Sequence, residues 1–138
     1  MPMNISLINP LSLRQHEEIS HFKVLLLLLK IIFQRKFTKP ILIDGETFTI
    51  LDGHHRYTVA KLLKFTFIPA LSINYLNDSR VVVYPRRKNI PVDKCLVLSK
   101  SALKSLFPIK STKHVIKGIN IHRLSIPLMD FYKLNFSL

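Results

Sequence analysis

Apolar positions in this chain fall in blocks, each closed by turn residues, and the blocks predict a mixed helix and strand order. Asn9-Pro10-Leu11 reads as a turn. Ser12, or the residues near His16, starts a predicted helix that runs through Glu17, Glu18 and the leucine-rich run to about Phe33. Because that run is apolar on nearly every side, it reads as a buried helix. Lys39-Pro40 breaks it and opens a short strand over residues 41–43. Asp44-Gly45 is a hairpin signal, and the return strand over residues 47–51 delivers the chain to Asp52.

Beyond Asp52 the pattern changes to helical spacing, with Tyr57, Val59, Ala60, Leu62 and Leu63 marking a helix from about His55 to Lys64. Residues 67–75 read as a strand, and residues 81–84 as another that Pro85 ends. A helix over about residues 99–106 follows, then an irregular basic segment over residues 107–114. The alternation predicts one compact α+β domain over residues 1–138, with a small mixed sheet and flanking helices, and no repeat, linker or low-complexity tract.

Composition narrows this picture. A chain of 138 residues is long enough to bury a core without metal or disulfide, and Cys95 is the only cysteine. A reducing cytoplasm is its simplest home. The longest apolar run is about half the roughly 20 residues of a membrane span, so no membrane partner is expected. Glu17 and Glu18 before that run, and the lack of a small-residue cleavage site after it, argue against a signal peptide. The formal net charge is +13, with the excess after Arg80 in Arg86-Arg87-Lys88 and the lysines at 94, 100, 104, 110, 113 and 117. Such a balance suits nucleic acid, an anionic surface or a polyanionic small ligand, and does not by itself select DNA over a nucleotide.

The chemistry concentrates in Leu51-Asp52-Gly53-His54-His55-Arg56-Tyr57, at the predicted strand-to-helix junction. Free N–H groups at a helix start favour anions, and Gly53 lets a phosphate approach the backbone. His54, His55 and Arg56 can add donors there, and Asp52 can hold a Mg²⁺ that bridges phosphates. An isolated Asp-Gly is usually only a turn and cap. Two histidines and an arginine beside it shift the balance toward a phosphate or nucleotide site.

His16-Glu17-Glu18 supplies the only acidic residues of the first forty positions. A carboxylate there is either a helix-dipole partner or a general base beside a bound phosphate. Lys110-Ser111-Thr112-Lys113-His114 groups cations, hydroxyls and an imidazole able to hold a carboxylate or phosphate. His21 and His122 lack ligand-spaced partners and read as structural. No GxxxxGK[ST], HExxH or CxxC pattern occurs.

Taken together, these motifs resemble the ParB/sulfiredoxin-like superfamily, and within it the free L-serine kinases of archaea. The hairpin, the Asp52–Tyr57 stretch with Ala60, Leu63 and Ile68-Pro69, His16-Glu17, and Phe107 with Lys110–His114 stand in the family's order. The resemblance implies transfer of a phosphoryl group from ATP or ADP to the hydroxyl of L-serine, giving O-phospho-L-serine for cysteine biosynthesis. Glu17 would be the base, and Asp52, Gly53, His54, His55 and Arg56 would hold the phosphates and Mg²⁺. Lys110, Ser111, Thr112 and His114 would bind the substrate. The chain departs from the family in its short segment between Pro85 and the basic loop, in Val83 before Tyr84, and in Ser111 and Lys113. A ParB-like nucleotide- and DNA-binding protein is the alternative, but the usual helix-turn-helix and dimerisation regions do not fit in the remaining chain. Sulfiredoxin chemistry needs a cysteine beside the phosphate motif, and none is there.

Overall fold

A computed structural model of the chain describes residues 5–117 and residues 126–127. Its centre is a four-stranded sheet in the order β1-β5-β3-β4, formed by β1 (Ile5–Ile8), β3 (Ile41–Asp44), β4 (Ile50–Asp52) and β5 (Ile68–Ile73). β3 pairs parallel with β5 and antiparallel with β4, while β1 pairs antiparallel with β5. The mixed sheet and its flanking helices make the α+β architecture that the sequence predicts.

Strand alternation divides the core in two. Ile41, Ile43, Ile50, Ile68 and Ala70 point to one face, where they meet Val24 and Ile31 of α1 (His21–Gln34) and Tyr57, Val59 and Ala60 of α2 (His54–Leu62). Leu42, Leu51, Leu71 and Ile73 point to the other. There they pack with Val81 of β6 (Val81–Pro85), Val97 of α3 (Lys94–Ala102), and Tyr75 and Phe107. β6 pairs antiparallel with β7 (Thr112–Ile116), and β2 (Lys36–Phe37) pairs with β8 (Ile126–Pro127).

Several sequence expectations shift. The first helix begins at His21, where the Ser20 side chain accepts the Lys23 N–H at 3.3 Å. Pro10–Ser12 form one short 3-10 turn, and the residues between it and α1 are not helical: Arg14 bridges to Thr49 and Glu17 to Phe107, through backbone bonds of 2.7 to 2.9 Å. Long-range pairing thus overrides the local helical pattern, and Glu17 is not a helix-start residue. α1 is also less buried than its composition predicts, since Phe22, Leu25, Leu26, Leu29, Ile32 and Phe33 remain exposed.

The third helix starts at Lys94, several residues early, because the Asp93 carboxylate caps it by accepting the Leu96 N–H at 2.7 Å. The basic segment over residues 107–114 is not irregular throughout: it ends in β7, paired with β6 in register Tyr84↔Lys113 and Pro85↔Thr112. β4 begins at Ile50 and not at Thr47, for Phe48 sits at φ 58° and breaks the extended conformation. β1 has no counterpart in the sequence reading, being a short edge strand whose pattern carries little signal. His122 lies outside the described residues.

Candidate active site

β4 ends at Asp52 and α2 begins at His54, so the chain reverses its hydrogen-bonding mode within a single residue. Gly53 makes that possible with φ 109°, and a Cβ at this position would lie 2.5 Å from Ile41 Cγ2. It is the helix N-cap, and no side chain bonds the amides of the first turn. Tyr57 N–H is the first to find a helical carbonyl, that of Gly53 at 2.9 Å. The preceding amides form an anion-accepting helix end.

This turn opens on a cavity of about 360 Å³ lined by Glu17, Leu27, Lys39, Leu51, Asp52, Gly53, His54, His55, Arg56, Arg86, Thr112, Lys113 and His114. All of the Asp52–Arg56 candidates are therefore brought together with Glu17, Thr112 and His114, which come from two distant parts of the chain. Arg56 Nη2 reaches Asp52 Oδ2 and the Pro40 carbonyl only at 3.4 Å, and its Nε is buried without a hydrogen-bond partner. A guanidinium left this short of acceptors is suited to an incoming oxyanion.

The paired histidines do more than face the cavity. His54 Nε2 accepts the His16 N–H at 3.2 Å, and His55 Nε2 accepts the Ser20 N–H at 3.1 Å. Both rings thereby tie the Glu17 segment to the start of α2, which leaves Nδ1–H as the donor each can offer a ligand. Burial holds His54 well below the ordinary imidazole value, helped by the charges of His16 and His114. His55 is lowered too, by burial first and then by Lys23 and Arg56. Both are neutral near pH 7.

Glu17 is almost buried and is held by one oxygen. Its Oε1 accepts the Ser111 N–H at 3.0 Å, the Thr112 N–H at 2.8 Å and the Thr112 hydroxyl at 2.9 Å. Oε2 takes part in none of these bonds. A carboxylate fixed in this way presents a second oxygen as a proton acceptor in a defined place. His16 is fully buried behind it, with Nδ1 2.7 Å from the Ile50 carbonyl and Nε2 2.9 Å from Thr112 Oγ1. Burial lowers His16 to about 4.

The Lys110–His114 candidates separate. Thr112 and His114 line the cavity. Ser111 is fully buried, and its hydroxyl donates to the Pro108 carbonyl at 2.6 Å, so what it gives the site is the amide that holds Glu17. Lys110 is exposed and does not line the cavity. His114 Nε2 lies 2.8 Å from the Tyr75 hydroxyl. Its Nδ1 is buried and unpaired, with the Leu51 backbone beside it but outside hydrogen-bonding geometry. Burial, then the neighbouring His16, lowers His114 to about 3. Burial likewise raises the Tyr75 phenol far above its usual value.

Lys39 and Arg86 add cations to the wall that sequence reasoning did not single out as site residues, and Lys113 of the basic segment joins them. Nothing in a scattered lysine's local context marks it as facing a cavity. Among the described residues no three histidine, cysteine or carboxylate groups gather to hold a metal. Asp52 nonetheless fits a shared Mg²⁺: it lies at the cavity, its side chain 46% exposed, and it is engaged by protein only through the long Arg56 contact. A cation carried on nucleotide phosphates needs only one or two protein carboxylates.

No known family's sequence model matches the chain. A ParB-like protein of Sulfolobus acidocaldarius is 32% identical over 89 residues, which is 64% of this chain and 44% of that relative. The match thus spans less than half of the relative's length. Among solved structures, a free serine kinase in complex with AMP superposes with TM-score 0.82 at 14% identity, covering 95% of both chains. A variant of free serine kinase with a glutamate replaced by alanine, in complex with ADP, gives 0.72 at 14% identity over 95% of both chains. A conserved hypothetical protein from Pyrococcus furiosus also gives 0.72 at 14% identity, over 95% of this chain and all of that one. The chain therefore has the α+β fold of these free serine kinases, in agreement with the ParB/sulfiredoxin-like resemblance of its motifs.

Proposed function

We propose that this protein is a nucleotide-dependent kinase that transfers a phosphoryl group from ATP or ADP to the hydroxyl of free L-serine, giving O-phospho-L-serine. The observation that carries the reading is the placement of Glu17 in the same cavity as the amide-rich start of α2, with one carboxylate oxygen anchored and the other available. Likeness of fold to serine kinases bound to AMP and ADP supports it.

In this reading the terminal phosphates rest on the amides of Gly53 to Arg56, with Arg56, Lys39 and Arg86 as counter-charges. Asp52 would hold Mg²⁺, which when bound neutralises charge on the phosphate oxygens. Thr112, His114 and Lys113 line the side of the cavity that the acceptor occupies. As the acceptor oxygen attacks phosphorus, its proton passes to Glu17 Oε2 and the departing nucleotide keeps the electron pair of the broken P–O bond. The product would feed cysteine biosynthesis, and the reaction would take place in the cytoplasm.

Incubating the purified protein with Mg²⁺, L-serine and either nucleotide tests the proposal. Formation of O-phospho-L-serine is the expected result, and its absence with both nucleotides overturns the reading. The alternative, a ParB-like nucleotide- and DNA-binding protein, is favoured by the Sulfolobus relative and by the charge of +13.

A further inference from the structure

Counting hydrogens along the buried chain behind Glu17 leaves it one short. The Ile50 carbonyl only accepts, so the 2.7 Å contact requires the His16 proton on Nδ1. In neutral His16, Nε2 is then an acceptor, 2.9 Å from Thr112 Oγ1. Thr112 Oγ1 is also 2.9 Å from Glu17 Oε1, another acceptor when the carboxylate is ionised. One hydroxyl proton therefore faces two acceptors at equal distance, and one contact is always lone pair against lone pair.

We propose that the Thr112 hydroxyl is a two-position donor, turned to Glu17 Oε1 while that carboxylate is ionised and to His16 Nε2 once Glu17 is neutral. This makes His16 and Thr112 positioning residues for Glu17, and its catalytic use rests on the kinase reading above. During transfer the acceptor O–H breaks, its proton binds Glu17 Oε2, and the new O–P bond forms as the nucleotide leaves. The Thr112 proton stays on Thr112 and only swings. Oε1, now part of a neutral acid, keeps the Ser111 and Thr112 amides as donors, so the loss of the Thr112 hydroxyl does not leave it unpaired.

The surroundings suit a neutral His16. Its ring centroid lies 4.5 Å from that of His54, 5.5 Å from that of His114 and 6.3 Å from that of Phe107. His54 and His114 are themselves held neutral by burial. The cations Lys39, Arg56, Arg86 and Lys113 and the carboxylate Asp52 share the cavity with Glu17, and the Lys23 ammonium acts on it from α1.

Nitrogen-15 NMR of the imidazole of His16 at neutral pH tests the switch without any turnover. In the wild type, Nε2 should resonate as an unprotonated ring nitrogen lacking a hydrogen bond. Glu17→Gln imitates the neutral acid, and in it Nε2 should move upfield by several ppm as it gains the Thr112 hydroxyl. Adding Thr112→Val to Glu17→Gln should abolish that move, and Thr112→Ser should preserve it. An Nε2 resonance identical in the wild type and Glu17→Gln, or an imidazolium signal in the wild type, overturns the inference. In turnover, Thr112→Val should lower kcat roughly 10-fold or more at unchanged nucleotide affinity, with Thr112→Ser retaining most activity. A protein that makes no phosphoserine yet shows the NMR response would sink the kinase reading and leave the switch standing.

Discussion

Glu17 Oε1 lies 2.8 Å from the amide of Thr112, a residue 95 positions away in the sequence, and the Thr112 hydroxyl bonds the same oxygen at 2.9 Å. This contact places a carboxylate opposite the start of α2, and the chemistry of the site turns on whether that carboxylate accepts a proton. Glu17→Gln keeps the shape and removes the basicity. The expected result is a kcat lower by roughly 10²–10⁴ with nucleotide affinity within a few-fold. Glu18 is exposed, with its N–H on the Phe107 carbonyl at 2.8 Å, so Glu18→Gln should keep most activity. Steady-state kinetics of both variants decide it: an active Glu17→Gln removes the base.

Gly53 provides a test of the phosphate cradle. Gly53→Ala forces a side chain into φ 109° and against Ile41 Cγ2, at an expected stability cost of about 1–3 kcal/mol. If the chain folds, nucleotide affinity should fall as well, because the amides of the first turn can no longer be approached. Arg56→Ala should weaken nucleotide binding by about 1–3 kcal/mol, the range for a lost charged hydrogen bond. Calorimetric titration reads both, and full affinity in both variants would place the phosphates elsewhere.

How much of this was legible in the sequence differs from residue to residue. The Asp52–Arg56 turn was legible because strand, glycine and helix succeed one another locally, and local order is what sequence carries. The Glu17 segment was not, since its extended form depends on Thr49 and Phe107, far along the chain. Its leucine-rich continuation made a longer helix the better local choice. The roles of His54 and His55 as acceptors for the His16 and Ser20 amides were hidden for the same reason. Ser111 shows the limit on the substrate side: its residue type suggested a ligand contact, but its fold environment uses the amide.

The basic surface separates the two functional readings. Charge serving a nucleotide and its rim would give weak duplex DNA binding with a steep salt dependence, vanishing near physiological ionic strength. Fluorescence anisotropy across a salt series should show that loss. Sequence-specific binding that persists at about 0.15 M salt would instead favour the ParB-like reading.

The buried histidines predict a further, purely thermodynamic behaviour. His16 is lowered to about 4 and His114 to about 3, each chiefly by burial, from an unfolded value near 6.5. His54 is lowered in the same direction and for the same first cause. Below about pH 6.5 the unfolded chain binds protons that the folded chain refuses, so each such histidine favours unfolding as pH falls. Their contribution to stability is therefore complete above about pH 6.5 and is lost as pH drops toward 4 and 3. The slope approaches about 1.4 kcal/mol per pH unit for each fully buried histidine, discounted by whatever the unfolded chain retains of their contacts. Urea unfolding at a series of pH values between about 7 and 4 should show the midpoint falling steadily. A His114→Gln variant should fall less steeply than the wild type even if it starts lower, because it has one fewer group to protonate on unfolding. Equal slopes would mean that His114 binds its proton as readily folded as unfolded, and that the cavity wall at β7 is wetter than its burial indicates.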